Sequence, residues 1–185
     1  AGPELVEQVM ALAVRPTLEA LAARGAPYRG VLYAGLMLTD DGPKVIEYNV
    51  RFGDPECQVV LPRLETDLGD LCTAAARGEP LPSVEFSEQA CVTVVLASDG
   101  YPSAPRTGCA ITGLAQAEAR RDVVVFHAGT RRAGDGSLVT AGGRVLDVTA
   151  LGPTVGDARR TAYAAAAEIS WSGVQYRRDI AAAAA

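Results

Sequence analysis

The sequence predicts an α+β chain in two differently patterned parts, and three observations lead there. Apolar residues at helical spacing open the chain, two apolar runs flank a turn-forming cluster, and a strand-rich second half closes on one alanine-rich helix. Gly2-Pro3 puts a proline in a first helical turn, and Leu5, Val9, Leu12 and Ala13 recur at helical spacing as far as Pro16. A helix kinked or restarted there should stop at Gly25. Residues 29–39 are apolar on both faces, Asp40-Asp41-Gly42-Pro43 supplies turn chemistry, and residues 44–50 run back. That pattern gives an antiparallel hairpin buried on at least one side. After the Gly53-Asp54-Pro55 corner, residues 56–64 and 67–77 read as helices, with Thr66 as N-cap and Gly78 as stop.

Prolines and charge in Glu79-Pro80-Leu81-Pro82-Ser83 interrupt the pattern, which divides the chain into residues 1–80 and 81–185 with the junction inside 79–88. In the second part, residues 90–97, 123–128, 138–140 and 144–149 carry β-branched side chains between glycine-rich turns, which fits a small antiparallel sheet. Gly134-Asp135-Gly136 marks one tight hairpin. Thr154 with Asp157 three residues on reads as a capping box heading a helix over residues 158–169, expected to lie across the sheet. The one low-complexity stretch is the alanine run 181–185.

A chain of 185 residues with 49% hydrophobic and 21% charged residues can bury a core in one or two domains. Its net charge of −5 argues against a nucleic-acid partner, which recruits proteins through basic patches. The pairs Arg120-Arg121, Arg131-Arg132, Arg159-Arg160 and Arg177-Arg178 are scattered among acids and read as solvated surface charge. No stretch approaches the roughly 18 apolar residues that span a bilayer, and no charged-then-apolar leader opens the chain, so the expected setting is the cytosol. Cys57, Cys72, Cys91 and Cys109 are spaced too widely for a Cys-x-x-Cys knuckle and are expected as buried free thiols.

The stretch Val45-Ile46-Glu47-Tyr48-Asn49-Val50-Arg51-Phe52-Gly53-Asp54-Pro55-Glu56 carries the chemistry. Side chains alternate along a strand, so Glu47, Asn49 and Arg51 should share one face and Ile46, Tyr48 and Val50 the other. A carboxylate and a carboxamide oxygen two residues apart suit a hard cation that keeps its other positions for water and phosphate, and a guanidinium next in line suits phosphate. A solvated edge strand would show the same alternation; the exit through Phe-Gly-Asp-Pro-Glu sets this one apart, because sites gather at strand ends and on the loops after them. Asp54 itself reads equally as a helix cap or as a substrate-orienting group. His127, on an apolar strand, reads as a hydrogen-bonded packing residue before a proton shuttle.

Residues 47–56, preceded by Tyr28-Arg29-Gly30-Val31-Leu32-Tyr33-Ala34-Gly35-Leu36-Met37, closely resemble the C-terminal part of the phosphoribosylamine-glycine ligase (glycinamide ribonucleotide synthetase) family of the ATP-grasp superfamily. Phe126-His127-Ala128-Gly129-Thr130, Thr140-Ala141-Gly142-Gly143-Arg144-Val145-Leu146 and Gly173-Val174-Gln175-Tyr176-Arg177-Arg178-Asp179-Ile180 match later segments of that family in the same order, so the resemblance runs from about Gly2 to Ile180. It implies the C-terminal half of an ATP-grasp domain, an antiparallel sheet with helices, over residues 1–80. A small antiparallel β-sheet subdomain with one packing helix would follow over 81–185. It also implies ATP as cosubstrate, Mg²⁺ (or Mn²⁺) held by Glu47 and Asn49, and catalytic roles for Arg51 and Asp54. The implied reaction joins glycine to phosphoribosylamine through glycyl phosphate.

The family's N-terminal domain and its ATP-clamping lid have no counterpart in this sequence, so the resemblance implies a fragment that needs those missing parts of the same polypeptide and is inactive alone. No Gly-x-x-x-x-Gly-Lys-Ser/Thr loop is present, and Lys44 is the single lysine. Many ATP-grasp enzymes add an acidic ligand on the strand before the Glu-x-Asn pair; residues 33–37 offer none, and Asp40 and Asp41 sit in the turn. The resemblance therefore implies one magnesium that arrives with ATP. It also places Ser98-Asp99-Gly100-Tyr101-Pro102 as a loop beside the cleft. Another ATP-grasp carboxylate-amine ligase would share Glu-x-Asn-x-Arg without the later segments, and a non-catalytic binding or assembly module would leave the Glu47 face solvated.

Overall fold

The structure is a computed structural model and describes residues 2–184; the last alanine of the closing run lies outside them. In chain order the elements are α1 (Pro3–Val9), a wide π turn (Met10–Val14), α2 (Arg15–Ala23), β1 (Tyr33–Thr39), β2 (Gly42–Asn49), α3 (Cys57–Val60), a 3₁₀ turn (Leu61–Arg63), α4 (Leu68–Arg77) and β3 (Ala90–Ala97). There follow α5 (Leu114–Glu118), β4 (Val123–His127), β5 (Thr130–Arg132), β6 (Leu138–Thr140), β7 (Arg144–Gly152) and α6 (Val155–Ala166). They form two compact units, residues 1–53 with 66–84 and residues 54–65 with 85–185. No helix among the described residues is long and apolar enough to cross a membrane.

In the first unit the kink expected near Pro16 takes a definite form. Proline has no N–H for the fourth residue back, and the turn before it opens so that Arg15 N–H reaches Met10 O, a one-turn π bulge rather than a break. The helix stops where Gly25 enters the left-handed region at φ 76°. β1 and β2 pair antiparallel with a bulge between Gly35 and Leu36. The strand starts at Tyr33 rather than residue 29, because the Tyr28 hydroxyl donates to Val31 O at 2.6 Å and folds residues 28–31 into a local loop. Contrary to the expected one-sided burial, no hairpin residue is buried: Ile46 is 64% and Val50, just past the strand, 71% exposed. α4 is capped by Asp67, whose Oδ1 accepts from Asp70 N–H at 3.0 Å, and not by Thr66, whose hydroxyl donates to Ser83 O. Gly78 ends α4 at φ 69°, as expected.

In the second unit β3, β7 and β4 make a three-stranded antiparallel sheet in the order β3-β7-β4. β5 and β6 pair separately across the Gly134-Asp135-Gly136 turn, so the expected strands divide between two sheets. Along β7, Leu146, Val148 and Ala150 alternate with Asp147 and Thr149, and every one of them is buried. The core joins Val94, Leu96, Leu146 and Val148 to Ala158, Ala162, Ala165 and Ala166 of α6, whose missing side-chain bulk lets the helix lie close on the sheet. Thr154 caps α6 as expected: its Oγ1 accepts from Asp157 N–H at 3.1 Å and donates to Asp157 Oδ2 at 2.7 Å. That hydrogen bond, helped by Arg160, holds the Asp157 carboxyl below the usual carboxylate range. The helix begins three residues before position 158, directly after its cap.

Candidate functional site

The first unit carries the acid-amide pair. Tyr48 points toward the helices, where its hydroxyl donates to Ala13 O at 3.1 Å and accepts from Thr17 at 3.0 Å. Glu47 and Asn49, one residue to either side, therefore turn the other way, and Asn49 Nδ2 donates to Glu47 Oε1 at 2.9 Å. Glu47 stands opposite Gly35 in the ladder, where a Cβ would come within 3.3 Å of the Glu47 Cγ, so the glycine makes room for the carboxylate arm. Arg51 departs from the sequence expectation: β2 ends at Asn49, Arg51 lies in the bend beyond it, and its Nη1 donates to Phe52 O at 2.9 Å. Strand alternation thus places Glu47 and Asn49 but not the arginine.

A second constellation, built on the second unit, centres on Asp54. Arg144 Nη2 binds Asp54 Oδ2 at 2.7 Å and its Nη1 reaches Asp54 O at 3.2 Å. Gln58 Nε2, four residues along, donates to Asp54 Oδ1 at 2.9 Å and also to Asp147 Oδ2 at 2.9 Å. Asp54 is thus held through three oxygens while its side chain stays about half exposed. Asp54 does not cap α3, which has no side-chain cap. Arg144, Gln58 and Asp147 were not singled out as site residues from the sequence. The visible signal was Asp147, one charge inside the apolar run Val145-Leu146-Asp147-Val148.

Asp147 is 1% exposed, and its Oδ1, like Gln58 Oε1, is buried without a hydrogen-bond partner. Burial pushes its carboxyl above the usual carboxylate range and the Asp54 charge adds to this, against the Gln58 hydrogen bond and Arg144, which pull it down. A raised folded-state value means that the proton is held more tightly in the folded chain than in the unfolded one, whose ordinary value is 3.8. Stability at this position is therefore full below pH 3.8 and declines as pH rises through the folded value. Asp147→Asn removes that dependence. Its stability gain over wild type should be absent near pH 3 and grow as pH rises above 3.8; urea midpoints of both chains from pH 3 to 8 check it, and parallel curves would refute it.

Arg144 also lines a cavity of about 410 Å³ with Tyr101, Gln175, Tyr176 and Arg177. The Ser98–Pro102 loop is rigidly built there: Ser98 is buried and donates to Gly142 O at 2.8 Å, and the Tyr101 ring lies where a Cβ on Gly143 would sit. His127 is exposed and shares a 2.9 Å hydrogen bond with Thr130, a local contact across the turn between β4 and β5. The four cysteines are free, as expected, but none is fully buried and Cys72 is exposed; partial burial pushes the Cys91 thiol up to about 11. Among the described residues no three His, Cys, Asp or Glu side chains gather as a metal site, so a cation on the Glu47 face would have a two-donor anchor.

The first 57 residues match an ATP-grasp domain model, and the α+β fold is shared with solved structures. The chain superposes on N5-carboxyaminoimidazole ribonucleotide synthetase from Thermotoga maritima with a TM-score of 0.63 at 18% identity, covering 92% of this chain and 43% of that one. The particular family is closer. Residues 1–57 match the ATP-grasp (A) domain of phosphoribosylglycinamide synthetase and residues 91–183 its C domain. Phosphoribosylamine-glycine ligase of Caulobacter vibrioides is 54% identical over 179 residues, 95% of this chain and 42% of that protein. The crystal structure of the Thermotoga maritima phosphoribosylamine-glycine ligase superposes with a TM-score of 0.81 at 39% identity, covering 96% of this chain and 42% of that one. The chain belongs to the phosphoribosylglycinamide synthetase family and spans a little over two fifths of the length of these relatives.

Proposed function

We propose that this chain is the C-terminal portion of an ATP-dependent ligase that joins glycine to 5-phosphoribosylamine, giving glycinamide ribonucleotide, ADP and phosphate in the cytosol. The observation that carries the reading is the Glu47-Asn49 pair, turned together to one side of β2 in a chain 54% identical to a phosphoribosylamine-glycine ligase. Residues 1–80 are read as the end of the ATP-grasp domain and 81–185 as the C-terminal subdomain, which the two family matches support. Another ATP-grasp ligase is the weaker reading, because 39% identity to the Thermotoga glycine ligase stands against 18% to the ribonucleotide synthetase.

Glycine carboxylate attacks the γ-phosphoryl of ATP to give glycyl phosphate and ADP, and the amine of phosphoribosylamine then displaces phosphate. The charge and alignment of the phosphates dominate such a step, so catalysis is positioning and electrostatics. Glu47 and Asn49 supply a carboxylate and a carboxamide, a donor set that fits Mg²⁺ or Mn²⁺. The cation there would neutralise phosphate charge. Arg51 meets phosphate or the glycine carboxylate, and Asp54 orients glycine. The test is the full-length polypeptide supplied with MgATP, glycine and phosphoribosylamine: ADP release that needs both other substrates supports the reading, and ADP release indifferent to glycine refutes it.

A further inference from the structure

Three carboxyl and amide groups around Asp54 form a chain in which one amide does two jobs. Gln58 Nε2 has two hydrogens, and the structure commits one to Asp54 Oδ1 and the other to Asp147 Oδ2, both at 2.9 Å. The partner on the far side, Arg144, fixes Asp54 Oδ2 and its main-chain oxygen. Asp147 comes from the central strand β7, where the flanking strands place Val95 and Phe126 opposite it. A charged group in that setting is costly unless it is partnered. Among the described residues, the two buried side-chain acceptors without partners, Gln58 Oε1 and Asp147 Oδ1, are on these same two side chains. An uncharged carboxyl relieves this: a proton on one Asp147 oxygen leaves the other free to accept from Gln58 and turns the buried group from acceptor-only into a donor as well. The charged groups near Asp147 are Asp54 on the loop before α3 and Arg144 at the head of β7.

We propose that Gln58 and Asp147 are a positioning pair for Asp54, with Asp147 acting in its uncharged form as the buried anchor that keeps the Gln58 amide facing the Asp54 carboxylate. The inference rests on the proposed role of Asp54 in orienting glycine. Gln58→Leu removes both hydrogen bonds and leaves Asp54 tied to Arg144 alone, free to fold onto the guanidinium instead of presenting a carboxylate edge. Asp147→Val removes the anchor and suits a strand interior. Asp147→Asn keeps an acceptor for the Gln58 N–H and adds a donor for the partnerless Gln58 oxygen, so it reproduces the uncharged acid.

The test is made in the full-length ligase. Gln58→Leu and Asp147→Val should each raise the glycine KM about tenfold and leave the MgATP KM within about twofold of wild type, a difference of about 1.4 kcal/mol at one substrate only. Together they should do little more than either alone, and Asp147→Asn should stay within about threefold of wild type. An unchanged glycine KM in Gln58→Leu overturns the pair, as does a fall in kcat at unchanged KM, which is what a purely structural lesion produces. A wild-type KM in Asp147→Val, or a tenfold rise in Asp147→Asn, removes the uncharged anchor. A readout independent of the reaction is the Gln58 side-chain amide by NMR in the full-length polypeptide. Its two N–H protons should exchange slowly with water in wild type and in Asp147→Asn, and rapidly in Asp147→Val. If the wild-type enzyme makes no glycinamide ribonucleotide but this exchange pattern holds, the functional reading fails and the pair survives; rapid exchange in wild type sinks the pair whatever the activity.

Discussion

On the proposed reading, Glu47→Gln in the full-length polypeptide should lower kcat by at least about a hundredfold and leave the melting temperature where it was, on the scale of removing one electrostatic contributor to a charged transition state. The replacement has the same length and shape, and the Asn49 amide keeps an oxygen to donate to, so the exposed strand face loses a charge without losing a contact. Nothing buried is disturbed, because the carboxylate arm occupies the space that Gly35 leaves open. The measurement is turnover at saturating MgATP and glycine beside a circular-dichroism melt. Wild-type turnover in this variant would remove the cation from Glu47, whatever the family resemblance says.

The largest expected change in stability comes from the other end of the chain. Leu96→Ala should destabilise the second unit by about 2–5 kcal/mol, since Leu96 is 0% exposed between the sheet and the alanine face of α6. Refilling the hole is hard there. The facing residues Ala158, Ala162, Ala165 and Ala166 have no side-chain length with which to collapse into the gap. Leu38→Ala, in a hairpin position 61% exposed, should change stability by less than about 0.5 kcal/mol. Urea denaturation of the two variants separates the cases, and equal midpoints would show that the core has been misassigned.

Elements whose cause is local were visible in the sequence. The proline at the head of α1, the Gly25 and Gly78 stops, the Thr154-Asp157 cap and β3, β6 and most of β7 follow from residues acting within a few positions of themselves. The cap falls one residue after Thr66, because Asp67 takes the extended cap position and accepts from Asp70 N–H while the Thr66 hydroxyl turns to Ser83 O. The division of strands between two sheets depends on which strand pairs with which over long separations, and periodicity does not encode that. The site divides in the same way. Glu47 and Asn49 follow from strand alternation alone. Arg51 does not, because the ladder stops two residues short of it. Arg144, 90 residues from Asp54, and Asp147, 89 from Gln58, are joined to their partners only by the folded topology. One lone acid within an apolar strand was the trace that could have marked the second of these.

The bare hairpin has a practical consequence. β1 and β2 form a sheet of two strands, so among the described residues each has one side without a neighbouring strand, and Met37, Leu38, Ile46 and Val50 stand exposed beside it. Such a ribbon behaves as an adhesive toward any extended segment that comes near. An extended segment that pairs with one rim would lengthen by one strand the ladder that carries Glu47.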